Sequence, residues 1–185
     1  MRIKHVILDR DGVLNRDLPA GEWVHDPQAF EWLDGALAGL AQLARAGVRL
    51  CVATNQSGVG RGRMSLDQLQ AVHARMLADA AAHGAPIADV LVCPHAPEAG
   101  CSCRKPAPGL ILAAIARSGL APADTLVVGD DSRDIEAAAR AGVEAALVCT
   151  GKGARTAMQL DARGTRVRTY ADLEQLARAL TMEHD

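Results

Sequence analysis

The sequence predicts an α/β fold, a doubly wound and mostly parallel sheet with helices on both faces. Three observations carry that prediction. Short aliphatic and β-branched runs alternate with amphipathic helical stretches, several of the runs break off in a carboxylate or a glycine, and neither an internal repeat nor a low-complexity linker interrupts the series. At 185 residues and 49% hydrophobic, the chain is long enough for one well-buried core and short for two, so residues 1–185 are expected to form a single domain.

The first strand is expected over Ile3 to Leu8, ending in Asp9-Arg10-Asp11-Gly12. Gly12 permits the sharp departure a buried strand needs at its end, which is where open α/β sheets hold ligands. Residues two apart project to the same side of a strand, so Asp9 and Asp11 can converge while Arg10 points away. Two carboxylates in one small volume are costly unless they share a proton or a cation. A hard divalent ion such as Mg2+, which takes oxygen ligands and brings phosphate oxygens with it, resolves the conflict. Taken alone, the pair reads equally well as a turn in which both aspartates cap the following loop.

An irregular stretch from Asn15 to Phe30 follows, holding Pro19, Gly21, Pro27, Trp23 and His25. A loop of that length beside strand-end carboxylates is expected to touch a substrate. Asp34 reads as the cap of a helix carrying Leu37, Leu40 and Leu43 and stopping at Gly47. The second strand, Val48 to Ala53, ends at Thr54-Asn55-Gln56-Ser57-Gly58, and Gly60-Arg61-Gly62-Arg63 follows. Ser65 opens a second helix with Leu66, Leu69, Val72, Met76 and Leu77 on one side, running to about His83-Gly84.

The third strand, Ile87 to Val92, leads into Cys93, His95, Cys101 and Cys103 in one tight loop, then Arg104-Lys105-Pro106. Three thiolates and one imidazole at this spacing suit a closed tetrahedral Zn2+ site. A closed shell has no place for water, so this zinc is expected to be structural, a staple for a loop without a core of its own. Five cysteines in all is an odd number that fits metal ligation in a reducing compartment better than a disulfide framework. Cys51 and Cys149 read as buried small apolar residues.

A third helix covers about Pro108 to Ser118. The fourth strand, Thr125 to Val128, ends in Gly129-Asp130-Asp131-Ser132-Arg133-Asp134 and a helix up to Ala141-Gly142. The last core strand, Ala145 to Val148, reaches Cys149-Thr150-Gly151-Lys152-Gly153. Val167 to Tyr170 is a short added strand, and Ala171 to Leu180 a helix closing one edge.

Four strand ends thus carry groups that can meet: Asp9 and Asp11, Thr54 and Asn55, Lys105, and Asp130. Each has a plain structural reading as a turn, a cap or a solvated charge. Jointly they suit phosphoryl transfer. An aspartate beside a metal is a nucleophile, and a second aspartate can protonate the leaving oxygen and then activate water. A lysine, a hydroxyl and Mg2+ stabilise the charged phosphoryl oxygens.

The four motifs in order resemble those of the haloacid-dehalogenase (HAD) superfamily of phosphatases, with a HAD-like Rossmannoid core, over Ile3 to about Gly151. Within it the chain is similar to a capless, zinc-containing branch that holds histidinol-phosphate phosphatases and heptose-1,7-bisphosphate phosphatases. The resemblance implies Asp9 as nucleophile, Asp11 as general acid and base, and Thr54 and Lys105 as stabilisers of the phosphoryl group. It implies Mg2+ held by Asp9, the main-chain carbonyl of Asp11, and Asp130. No large cap is visible between the motifs, so loops must exclude water and set the choice of substrate.

The run Gln56 to Gly62, with Ser57 where histidinol phosphatases tend to be acidic, resembles the heptose group, as do Trp23-Val24-His25 and Phe30 to Gly35. Substrate contacts implied by the resemblance are Asp17, Gly21, Glu22, Thr54 to Ser57 with Asn55 and Gln56 between them, Arg104 with Lys105, and Asp131. Arg61 and Arg104 suit a second, anomeric phosphate, because guanidinium forks bind phosphate bidentately. Val13 departs from the threonine common in the family, and the Asn15 to Trp23 loop is slightly long. The runner-up is a histidinol-phosphate phosphatase. From another class comes a catalytically silent phosphosugar-binding module, against which the intact Asp9, Asp11, Lys105 and Asp130 weigh.

A net charge of −2 without a long basic cluster argues against nucleic-acid partners, and 2% aromatic residues give bases little to stack on. With no bilayer-spanning run, and Met1-Arg2-Ile3-Lys4 leading straight into a strand, a cytoplasmic monomer acting on a small sugar bisphosphate is expected.

Overall fold

A computed structural model describes residues 3–182, so Met1 and Arg2, read above as leading into the first strand, lie outside the described residues. Six strands form one sheet: β1 (His5–Leu8), β2 (Arg49–Asn55), β3 (Ile87–Cys93), β4 (Thr125–Gly129), β5 (Glu144–Val148) and β6 (Arg168–Tyr170), ordered β3-β2-β1-β4-β5-β6. Every pairing is parallel. The order reverses between β1 and β4, which opens a crevice at their carboxyl ends.

Alternation along the strands decides which face each side chain covers. Val6, Leu8, Leu50, Val52, Leu126, Val128, Ala146 and Val148 pack on one face with α1 (Ala36–Arg45), α3 (Leu66–Ala82) and α7 (Leu173–Met182). Ile7, Cys51, Ala53, Leu91 and Val127 face the other way, against α4 (Gly109–Ser118) and α5 (Ser132–Ala141). Leu147 meets Ile135 of α5 and Leu160 of α6 (Gly153–Ala162). A fully buried aliphatic side chain contributes roughly 1.5–3 kcal/mol, and these strands are apolar on both faces as parallel sheets require.

Several elements depart from the sequence reading. Asp34 does not cap α1; the cap is Gly35 at φ 76°, where a Cβ would stand 3.2 Å from Cβ of Glu174 on α7. One turn inside the helix, a Cβ on Gly39 would lie 2.7 Å from the Leu173 carbonyl, so α1 meets the start of α7 backbone to backbone, on one sheet face instead of α7 closing an edge. After β2, residues that the sequence reading assigned to no element form a short helix, α2 (Ser57–Gly60). Helix α6 was not visible in the sequence: its cap, Lys152, makes no side-chain cap bond, and only a few of its residues are buried. Cys149 sits just past β5 and is half-buried, whereas Cys51 is buried in β2 as expected. Ser65 caps α3 as expected, and Gln68 completes a capping box with it. Among the described residues no helix is long and apolar enough to cross a membrane.

Candidate active site

The carboxyl ends of β1, β2 and β4, with the turns after β3 and β5, enclose a cleft of about 140 Å³. Asp9, Asp11, Asp17, Glu22, Thr54, Asn55, Ser57, Arg104, Lys105, Asp130 and Asp131 all line it. Gly21 and Arg61 line an adjoining groove that shares Trp23, Ser57 and Arg104 with the cleft. Gln56 is fully buried behind the cleft wall.

Asp9 stands one residue beyond β1, its backbone N–H still donating to Val128 at 2.9 Å, so the β1–β4 pairing aims its carboxylate into the crevice. Oδ1 accepts from the Arg10 N–H at 2.7 Å and meets Lys105 Nζ at 3.0 Å. The same ammonium lies 2.6 Å from Asp134 Oδ1. Lys105 is 2% exposed. Burial alone would lower its pKa, but Asp134 and then Asp9 hold it above the usual lysine value. Burial raises the Asp9 carboxyl, and the charges of Asp134 and Asp11 add to that effect against the pull of Lys105. Asn55 fixes the lysine from below: its amide donates to the Lys105 carbonyl at 3.0 Å and its Oδ1 accepts the Lys105 N–H at 3.1 Å.

Asp11 is held differently. Oδ1 accepts from Arg10 Nη2 at 2.8 Å and Asn15 Nδ2 at 3.0 Å, while Oδ2 accepts from Arg10 Nη2 at 3.0 Å and Gln56 Nε2 at 2.7 Å. Burial would raise this carboxyl, but Arg10 and the amide donors bring it below the usual range. Arg10 therefore does not point away from the pair; it turns inward, 1% exposed, because an ionised carboxylate beside it compensates its desolvation. The Gln56 amide also donates to Thr54 Oγ1 at 3.0 Å, linking the second motif to the first.

Asp130 is 2% exposed and accepts the Lys152 N–H at 2.7 Å. Burial and the neighbouring Asp9 push its pKa up to about 8. A Cβ on either Gly12 or Gly151 would collide with this carboxylate, so both positions, each with positive φ, must be glycine for the three turns to close around it. Carboxylate oxygens of Asp9, Asp130 and Asp134 lie within 4.8 Å of one another. Three hard oxygen donors, two of which, Asp9 and Asp130, have raised proton affinity, fit a divalent ion of the magnesium type.

Asp134, Arg133, Lys152 and Asn15 were not singled out in the sequence. Only the spacing Asp130-Asp131-x-x-Asp134, one helical turn at the start of α5, could have signalled Asp134. Asp131 caps α5 through Arg133 N–H at 3.1 Å and forks with the Arg133 guanidinium, whose bonds hold its pKa at about 2 against the effect of burial. Lys152 Nζ reaches Asp17 at 2.6 Å, tying the long 15–30 loop to the turn after β5. Arg61 pairs with Glu98 at 3.0 Å on the wall of the adjoining groove, beside Arg63 and Arg104.

The Cys93, His95, Cys101 and Cys103 ligand atoms form a compact set: Cys93 Sγ lies 3.6 Å from both His95 Nδ1 and Cys101 Sγ, and Cys103 Sγ lies 3.4 Å from each. A tetrahedral zinc with bonds of about 2.3 Å to sulfur and 2.0–2.1 Å to nitrogen spaces its ligands about 3.5–3.8 Å apart. Sulfurs at 3.4 and 3.6 Å are far beyond disulfide length, and the four contacts fall at and just below the short end of the zinc spacing. Its loop packs on α2, where a Cβ on Gly60 would stand 2.7 Å from Ala96 N, and Arg104 donates to the His95 carbonyl at 3.3 Å.

Residues 102–176 match the HAD-hydrolase-like family model. A D-glycero-beta-D-manno-heptose-1,7-bisphosphate 7-phosphatase of Pseudomonas putida is 40% identical over 183 residues, covering 96% of this chain and 99% of that protein. A D-glycero-alpha-D-manno-heptose-1,7-bisphosphate 7-phosphatase of Mycobacterium tuberculosis is 40% identical over 134 residues, 72% of this chain and 70% of that protein. The crystal structure of D,D-heptose 1,7-bisphosphate phosphatase from Bordetella bronchiseptica, complexed with magnesium and phosphate, superposes with a TM-score of 0.90 at 39% identity, covering 97% of this chain and 99% of that one.

Proposed function

The chain belongs to the HAD-like hydrolases and, within them, to the heptose-1,7-bisphosphate 7-phosphatases, and from that premise we propose how its residues perform the reaction. It is a magnesium-dependent phosphatase that removes the 7-phosphate of D-glycero-D-manno-heptose 1,7-bisphosphate, a step in making activated heptose for lipopolysaccharide or a related glycan. The observation that supports this most is the meeting of Asp9, Asp11, Lys105 and Asp130, from separate turns, around one polar cleft.

Asp9 attacks the phosphorus in line and the bond to the sugar 7-oxygen breaks, giving an aspartyl phosphate. Asp11, ionised against Arg10 in the free protein, takes up a proton from solvent as substrate binds, donates it to the departing oxygen, and then takes one from the water that hydrolyses the intermediate. Lys105 and Thr54 donate to the phosphoryl oxygens as charge gathers there. Asp9, Asp130 and Asp134, together with the Asp11 carbonyl that the family resemblance implies, would hold Mg2+, which when bound neutralises phosphate charge. Cys93, His95, Cys101 and Cys103 would hold a structural Zn2+. The sugar extends into the adjoining groove, where Arg61, Arg63 and Arg104 supply cations for the anomeric phosphate and Trp23 a flat apolar wall. The 15–30 loop, with Asp17 and Glu22 in the cleft, covers the sugar in place of a cap domain. The chain works as a single domain, monomeric and cytoplasmic.

The test is phosphate release from both anomers of heptose 1,7-bisphosphate and from histidinol phosphate, each with Mg2+ and with a chelator. Metal-dependent release from a heptose bisphosphate, well above that from histidinol phosphate, is expected. The reverse preference would replace this reading with the histidinol one, and no release from either would favour a phosphosugar-binding module. Relatives named for either anomer reach 40% identity, so the two anomers are assayed side by side.

A further inference from the structure

A buried line of hydrogen bonds leaves the cleft and ends on α3. Arg10 uses Nε and Nη2 on Asp11, at 3.2 Å and 2.8 Å to Oδ1, which leaves Nη1 facing the protein interior. A guanidinium has five N–H donors and no acceptor, so a buried Nη1 needs a lone pair. His73 supplies it: Nε2 lies 3.1 Å from Nη1, and the histidine is 8% exposed and does not line the cleft. Burial, with Arg10 beside it, pushes His73 down to about 4, so the ring is neutral and Nε2 is the acceptor.

The fork fixes the guanidinium relative to Asp11 but leaves the pair free to tilt relative to α3. An acceptor on the remaining nitrogen removes that freedom. We propose that His73 is a positioning residue for the phosphatase reaction, fixing the Asp11 carboxylate through Arg10 although it touches neither substrate nor metal. The inference rests on the reading of Asp11 as the acid and base. Displacement of a reacting group by about 1 Å can cost on the order of 100-fold in rate, and an anchor acting through one intermediary should govern part of that.

The experiment compares His73→Phe, which keeps ring volume without an acceptor, with His73→Gln, whose Oε1 can replace Nε2, and with Asp11→Asn. Phosphate release is measured per folded enzyme, with folding monitored by circular dichroism. Phe is expected to lower kcat roughly 10-fold with KM changed less than about twofold, and Gln to restore kcat to within about threefold of the parent. A folded Phe variant with parental kcat, a loss that Gln does not restore, or an equal shift in KM overturns the proposal. Should the Phe variant not fold, His73→Asn, whose acceptor stops short of Arg10, is read against Gln by the same criteria. Substantial turnover by Asp11→Asn would remove the premise itself; loss there with parental kcat in His73→Phe would remove only the role of His73.

Discussion

Lys105 Nζ stands closer to Asp134 Oδ1, at 2.6 Å, than to Asp9 Oδ1, at 3.0 Å. The lysine is thereby fixed by a group outside the four motifs, and Asp134 is 1% exposed. Removing one partner of a buried ion pair costs about 3–5 kcal/mol, so Asp134→Ala should lower stability by that order in chemical denaturation. Its kcat should fall by roughly 100-fold, because the ammonium can then swing off the phosphoryl position. Asp134→Asn, which keeps the shape, should lose less of both.

Asp9→Asn should abolish phosphate release while circular dichroism and the unfolding midpoint stay near the parent. The amide keeps an acceptor oxygen for the Arg10 N–H and relieves the repulsion from Asp134 and Asp11, yet it is not a nucleophile. Substantial turnover would take Asp9 out of that role.

Metal analysis of purified protein should find one zinc per chain. Cys101→Ser or Cys103→Ser should lose it and loosen the 94–108 loop, with a lower Tm and a raised KM for the bisphosphate, since Arg104 hangs on the His95 carbonyl. Protein that is folded with well under one zinc per chain would defeat the assignment.

The two buried histidines should weaken the fold in mild acid, opposed by Asp130 and Asp9, whose raised carboxyl pKa values favour the folded state as pH falls. His5 and His73 both have pKa values lowered to about 4, chiefly by burial, against 6.5 for the unfolded residue. Between these values the unfolded chain binds more protons, so their contribution is whole above pH 6.5 and is lost as pH drops towards 4. The difference in Tm between the parent and a His5 variant, measured across pH 4–7.5, isolates the histidine contribution from that of the carboxyls. His5 is the cleaner probe: its Nε2 is buried without a hydrogen-bond partner, so His5→Phe should leave Tm at neutral pH unchanged or higher and flatten the acid limb.

The sequence disclosed the frame of the fold because parallel strands buried on both faces are short and apolar, as in His5–Leu8 and Thr125–Gly129. It disclosed the motif residues that face the cleft for the same reason: they follow those runs directly. What stayed hidden depends on long-range approach. Asp34 is a good cap by type, but Glu174, 140 residues further on, crowds Gly35 and moves the cap there. Arg10 was expected to face away by strand alternation, but β1 ends at Leu8, so the alternation stops before it. Asn55, read as a substrate contact, hydrogen-bonds to the Lys105 backbone, a bond across a sequence separation of 50 that no local pattern records. Helix α6 has too narrow an apolar stripe to register.

The carboxylate of Asp130 has no room to spare between Gly12 and Gly151, so the ends of β1, β4 and β5 must all be seated before it takes its place. A chain with one of those turns undocked would have neither the anion's enclosure nor the cation it recruits. Catalytic competence should therefore be all-or-none with the global fold: in a denaturant titration, turnover and secondary structure should disappear at one midpoint, with no inactive but otherwise folded species between them.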